Sequence, residues 1–345
     1  MTQLFDDINK TVVPASERVW GKAGSSETAV DFRKEEADRL LEKGIEQHQI
    51  RSFEHSLQTL QQALLLYRDI HDLQGESRTL SSIGITYYAL ASYGDAIANS
   101  YQALALARQT LDRRTERQAL ANLGNAYRHL EDHVRAIEYK LQSLTVAREI
   151  RDRRGEMAAL NNLGMAYKAK GDCVTAIEYY EESLALAQEL GDQQVTGQVL
   201  RNLGNAHHAL ADYAKTVKCY EELLAVARQL SDRQIEGQIL KNLASACYTM
   251  GDSAKAISYH QQRLVVARDL NDTRHEEQAL ESLAVIYETL GDYTRAIICY
   301  EQRLAVAQKA QDQKLEQQTL DSLKTICYAI GDFARASQYS CRHTH

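Results

Sequence analysis

The amino-acid sequence predicts an all-α solenoid in which helix-turn-helix pairs stack in series into a right-handed superhelix. Three observations carry that prediction. The 345 residues include 1 Pro, where an average usage of about 5% would give roughly 17, so almost nothing in the composition interrupts a helix. A 40-residue period runs through the chain, with Leu80, Leu120, Leu160, Leu200, Leu240, Leu280 and Leu320 in one column and Asp72, Asp112, Asp152, Asp192, Asp232, Asp272 and Asp312 in another. Within each period two apolar patterns follow one another at helical spacing, as in Ala119, Leu120, Leu123, Ala126, Tyr127 and Leu130, then Ala136, Ile137, Leu141 and Leu144.

Taken in chain order, residues 1–32 stand outside the period and hold the single Pro14 and the single Trp20, so they are expected to form a flexible leader. The repeat array occupies 33–345 as about eight helix pairs near 34–71, 74–111, 114–151, 154–191, 194–231, 234–271, 274–311 and 314–340, the last shortened. The first Asp of each period precedes a helix, and Glu often follows four residues on (Asp112 and Glu116, Asp152 and Glu156, Asp232 and Glu236), which suits an N-cap with acid in the first turn. A second Asp, frequently after Gly as in Gly171-Asp172, Gly251-Asp252 and Gly291-Asp292, ends one helix and caps the next. Gly44, Gly84, Gly124, Gly164 and Gly204 fall inside helices, where Gly costs about 1 kcal/mol, so close helix-to-helix approach is the expected reason.

Leu163-Gly164-Met165-Ala166-Tyr167, followed by Gly171-Asp172, Ala176-Ile177, Tyr179-Tyr180, Leu184 and Ala187, resembles the tetratricopeptide repeat. The likeness covers residues 34–340, with Leu in place of the early Trp, no Pro at the repeat end and about six residues more than the 34-residue unit. This longer form is similar to the repeats of the Pins and LGN adaptors and of bacterial scaffolds. The resemblance implies that the first helix of each pair lines a concave surface, and that Asn, Arg or Lys there hold acidic segments or carboxylates.

By register that surface carries Asn122, Asn125 and Arg128; Asn161, Asn162 and Lys168; Arg201, Asn202, Asn205 and His208; and Lys241, Asn242 and Tyr248. Asn both donates and accepts, so an amide ladder at 122, 162, 202 and 242 can grip the backbone of an extended peptide, and the neighbouring cations favour Asp, Glu or a terminal carboxylate. The competing expectation is that these Asn side chains bond within the array. Further along, Glu281, Ser282, Glu288, Asp321 and Ser322 turn the same columns acidic, which would orient a ligand.

The expected function is therefore a non-enzymatic interaction scaffold that binds an extended, acidic peptide of a partner protein through residues 118–248. Two alternatives belong to other classes. One is a switch in which the leader, with Leu4-Phe5-Asp6-Asp7-Ile8, occupies the groove; the other is self-association through an apolar C-terminal flank.

Composition narrows the rest. A net charge of −7 with scattered Lys and Arg argues against nucleic acid, and no 18-residue apolar run predicts membrane insertion. The acidic start of the chain is unlike a signal peptide, so a cytoplasmic protein is expected. Gly21-Lys22 lacks the earlier Gly and the following Ser or Thr of a phosphate loop, and no catalytic motif occurs, so no enzyme activity and no cofactor are expected. Adjacent His207 and His208, and His129 with His133, gain no third ligand from their spacing, so no metal site is expected. Cys219 and Cys247, like Cys299 and Cys327, join the second helix of one unit to the first of the next; they are read as core residues, with a disulfide as the alternative.

Overall fold

A computed structural model describes residues 24–341. Within them sixteen helices follow in order: α1 (Gly24–Gln49), α2 (Phe53–Asp69), α3 (Leu73–Ala89), α4 (Tyr93–Gln109), α5 (Arg113–His129), α6 (His133–Glu149), α7 (Arg153–Ala169), α8 (Cys173–Glu189), α9 (Gln193–Ala209), α10 (Tyr213–Gln229), α11 (Arg233–Thr249), α12 (Ser253–Asp269), α13 (Thr273–Thr289), α14 (Tyr293–Ala310), α15 (Gln313–Ala329) and α16 (Phe333–Cys341). Among the described residues there is no strand. Helix α1 begins at Gly24, so residues 24–32 of the expected leader are helical; residues 1–23, with the expected groove-occupying segment, lie outside the described residues.

The chain divides into two compact units, Met1–Ala126 and Tyr127–His345. In the first, α1 packs on α2, α2 on α3 and α3 on α4, and α1 also reaches α3. In the second, each helix from α6 to α16 packs on the next. Contacts chiefly between chain neighbours are what make the molecule an all-α solenoid.

The turns explain the regularity. From α2 to α13 seventeen-residue helices alternate with three-residue links, and the residue before each capping position is left-handed at twenty-residue intervals from Arg51 to Gly331. Gly171, Gly191, Gly251, Gly291 and Gly331 adopt that conformation without a Cβ penalty, while ten other residues, Ala211 among them, adopt it with one. The following Asp then caps: Asp232 accepts from the Ile235 backbone N–H at 3.0 Å and Asp192 from that of Val195 at 3.0 Å.

The core follows the columns. Leu80, Leu120, Leu160, Leu200, Leu240, Leu280 and Leu320 are all buried, and burying a Leu fully contributes about 1.5–3 kcal/mol. The expected reason for the mid-helix glycines also holds. A Cβ on Gly164 would stand 2.5 Å from the Tyr180 ring, and one on Gly204 2.7 Å from that of Tyr220. Glu236, four residues after its cap, does more than sit in a first turn. It is buried and accepts from Arg228 Nε at 2.7 Å and Arg233 Nη1 at 2.6 Å, tying α10 to α11.

Candidate functional site

The expected amide ladder divides into outward and inward members. In the first unit Asn122 is buried, and its Nδ2 donates to the Ser81 carbonyl of α3 at 3.0 Å; Asn125 is half-buried. In the second unit Asn161 is buried and its Oδ1 accepts from Asn202 Nδ2 at 2.9 Å, which joins α7 to α9. Tyr220 donates its hydroxyl proton to Asn205 Oδ1 at 2.6 Å and is also hydrogen-bonded by Asn242. These Asn side chains thus link helices, as the alternative expectation had it, because an amide between packed helices must find partners. Of the ladder positions, Asn122 presents no surface to a ligand, whereas Asn162, Asn202 and Asn242 stay half-buried.

The charged and aromatic members lie further out. Arg201, Lys241 and His208 are exposed, Lys168 is half-buried, and Tyr248 is 42% exposed. The His208 ring meets Tyr213 edge-on at 5.4 Å. Arg128 is half-buried and stands 3.0 Å from His129 Nε2. The first helices α7, α9 and α11 therefore present cations beside partly available amides.

The acidic columns further along are engaged within the fold. Glu281 accepts from Arg303 Nη2 at 2.9 Å, and Glu288 and Ser322 both hydrogen-bond the Tyr300 hydroxyl. Burial and the Glu288 bond push the Tyr300 phenol well above its ordinary range.

Sequence reasoning did not single out three buried cations on second helices. Lys140, Arg263 and Arg303 are 1%, 2% and 5% exposed. Desolvation, with Arg128 adding repulsion, lowers the Lys140 ammonium to about 7. Their signal in the sequence is a column break: Lys140 stands where later repeats carry Tyr180 and Tyr220, and Arg263 and Arg303 stand where Ser143, Ser183 and Leu223 precede them. The stacked pairs Tyr127–Tyr139 and Tyr167–Tyr179, with centroids 5.6 and 5.4 Å apart, recur at the same positions of consecutive repeats.

Cys173, Cys219, Cys247, Cys299 and Cys327 are free thiols. Burial pushes Cys219 and Cys299 each up to about 11 and raises Cys247 and Cys327, which disfavours the reactive thiolate. His207 is buried, and desolvation lowers its imidazole. Among the described residues no group of three or more His, Cys, Asp or Glu is placed to hold a metal ion. No helix of the described residues is long and apolar enough to cross a membrane.

No curated protein matches the chain. Among solved structures, it resembles the Signal Transduction ATPase with Numerous Domains protein PH0952 from Pyrococcus horikoshii, which carries a tetratricopeptide repeat sensor. The TM-score is 0.61 at 18% identity over 92% of this chain, which spans about half (47%) of that protein's length. BtubC (BKLC) from P. vanneervenii superposes with a TM-score of 0.54 at 20% identity, over 71% of this chain and 93% of that one. The apo form of RapI gives 0.57 at 12% identity, over 80% and 99%. At these identities the likeness is one of fold. Tetratricopeptide repeat models match residues 115–189, 195–269 and 279–314, more than half of the chain. With the paired helices, buried Leu columns and Gly-on-Tyr contacts described above, these matches place the chain in the tetratricopeptide repeat family.

Proposed function

We propose that the protein is a non-enzymatic interaction scaffold and that the surface of α7, α9 and α11 binds an extended, acidic peptide of a partner protein. The observation that carries this reading is the set of outward cations, Lys168, Arg201 and Lys241, beside the half-buried amides of Asn162, Asn202 and Asn242 on consecutive first helices. Amides meet a peptide backbone irrespective of its side chains, and cations select carboxylates.

The test is affinity capture with the full chain, followed by fluorescence anisotropy with the acidic segment of the captured partner. Micromolar affinity, about −8 kcal/mol, is expected, with a loss on raising salt. The Lys168→Ala/Arg201→Ala variant replaces two side chains that form no ion pair or hydrogen bond among the described residues and should bind at least about tenfold more weakly at an unchanged melting temperature. Equal binding by the variant would remove the groove from the account.

A further inference from the structure

Two consecutive repeats carry a buried arginine at the same position, and their surroundings differ in charge. Arg303 of α14 is 5% exposed; its Nε donates to Glu277 Oε2 at 3.1 Å and its Nη2 to Glu281 Oε1 at 2.9 Å, both on α13. Arg263 of α12 is 2% exposed and one period earlier. The residues one period before Glu277 and Glu281 are Gly237 and Lys241 of α11. The two carboxylates that neutralise Arg303 are thus replaced by no side chain and by a second cation.

Arg263 itself makes one hydrogen bond, Nη2 to Gln278 Oε1 at 2.9 Å, and its buried Nε has no hydrogen-bond partner; Asp272 and Glu277 act on it electrostatically from beyond ion-pair distance. No carboxylate lies within ion-pair distance of it among the described residues. A buried guanidinium without a directly paired carboxylate is costly. Arg263, Gly237 and Gln238 wall two adjoining clefts of about 270 and 240 Å³; Lys241, Arg274 and Gln278 border the first and Asp272 the second. Asp272 is engaged elsewhere, accepting from the His275 backbone and ring. Packing does not demand glycine at 237, because an added Cβ would meet only Val266 Cγ1, at an ordinary 3.5 Å.

We propose that the cleft over Gly237 is a carboxylate-binding site in which a ligand carboxylate takes the place that Glu277 and Glu281 fill at Arg303. The ligand oxygen accepts from the free Nε of Arg263, with Lys241 and Arg274 closing on the other side. The companion site at Arg303 shows that a carboxylate fits this guanidinium column. The proposal rests on the peptide-binding reading only in that the carboxylate reaches the cleft as part of a peptide, as a Glu or Asp side chain or as the C-terminus.

The test is isothermal titration of the full chain with two pentapeptides of one frame. Acetyl-Ala-Ala-Glu-Ala-Ala-amide carries a side-chain carboxylate and acetyl-Ala-Ala-Gln-Ala-Ala a terminal one; acetyl-Ala-Ala-Gln-Ala-Ala-amide has neither. At least one carboxylate peptide should bind about tenfold or more tightly than the neutral one, the factor expected for a hydrogen bond to a charged group. Gly237→Glu rebuilds the internal pair and should abolish that binding without lowering the melting temperature, whereas Gly237→Ala, which adds one methyl, should retain it. Arg263→Gln gives an independent loss. Equal affinity of all three peptides, or unchanged affinity in Gly237→Glu, would overturn the site. Binding that survives Gly237→Glu and disappears in Lys168→Ala/Arg201→Ala would overturn it while leaving the scaffold reading intact; the reverse pattern would remove the α7 and α9 surface and leave the Arg263 site.

Discussion

At the residue scale, one column of the second helices shows how a single side chain couples packing to protonation. Positions 180, 220, 260 and 300 are Tyr, Tyr, His and Tyr, all buried. His260 is 7% exposed, its Nδ1 has no hydrogen-bond partner, and desolvation with help from Arg263 lowers its imidazole to about 4. The folded state therefore binds this proton less readily than the unfolded chain, whose His titrates near 6.5. Stability is fully present above about 6.5 and is lost as the pH falls toward 4, by as much as about 3 kcal/mol from this group alone. His207, lowered for the same reason, adds loss of the same sign. The Glu236 and Asp272 carboxylates, held low by their Arg and His275 partners, add theirs at more acidic pH. His260→Tyr restores the residue of the neighbouring repeats, with Ala244 sixteen positions before it as Ala284 is before Tyr300. Urea titrations of both proteins at pH 7 and pH 5 should show a smaller stability loss in the variant; equal losses would locate the acid lability elsewhere.

At the element scale, the twenty-residue alternation of helix and link determines where every side chain falls. The left-handed residue in each link costs about 1–2 kcal/mol when it carries a Cβ. Ala211 at φ 57° lies in such a link, whereas Gly251 at φ 80° occupies the equivalent link one period on. Ala211→Gly should raise stability by about 0.5–1 kcal/mol, the strain relieved less the entropy that Gly adds to the unfolded chain. An unchanged or lower denaturation midpoint would refute that account of the link. The helices and their caps were legible because each depends on local spacing repeated seven or eight times, and the close approach at the mid-helix glycines because it recurs at the same column. The ladder was less legible. Asn161 and Asn202 lie in adjacent columns of different repeats, and only the rotation between α7 and α9 decides that their amides meet each other. The absence of an ion pair at Arg263 depends on side chains from α11 and α13 together, so no window of sequence contains it.

At the scale of the whole molecule, the second unit follows from its contact pattern. Each helix from α6 to α16 packs chiefly on its chain neighbours, with the α7–α9 contact one helix further along, so interfaces stay within adjoining repeats and free energy adds along the chain. The apolar core is accordingly segmented: one cluster holds Leu283, Tyr300, Leu323 and Tyr339, and another Leu200, Tyr220, Leu243 and Cys247. Among the described residues nine-residue α16 packs on α15 alone. Amide protection should therefore be lower in α16 than in α9 to α12, because a helix held by one interface opens at a lower cost than one held by two. Leu323→Ala, which cuts a buried side chain from α15 at a cost of about 2–5 kcal/mol, should accelerate exchange from α13 to α16 while leaving α7 to α9 unchanged. Uniform acceleration along the unit would mean that its repeats unfold as a single cooperative body. A graded response instead places α12, where Arg263 lies, among the well-protected helices of the unit, as holding a desolvated guanidinium in place for a carboxylate requires.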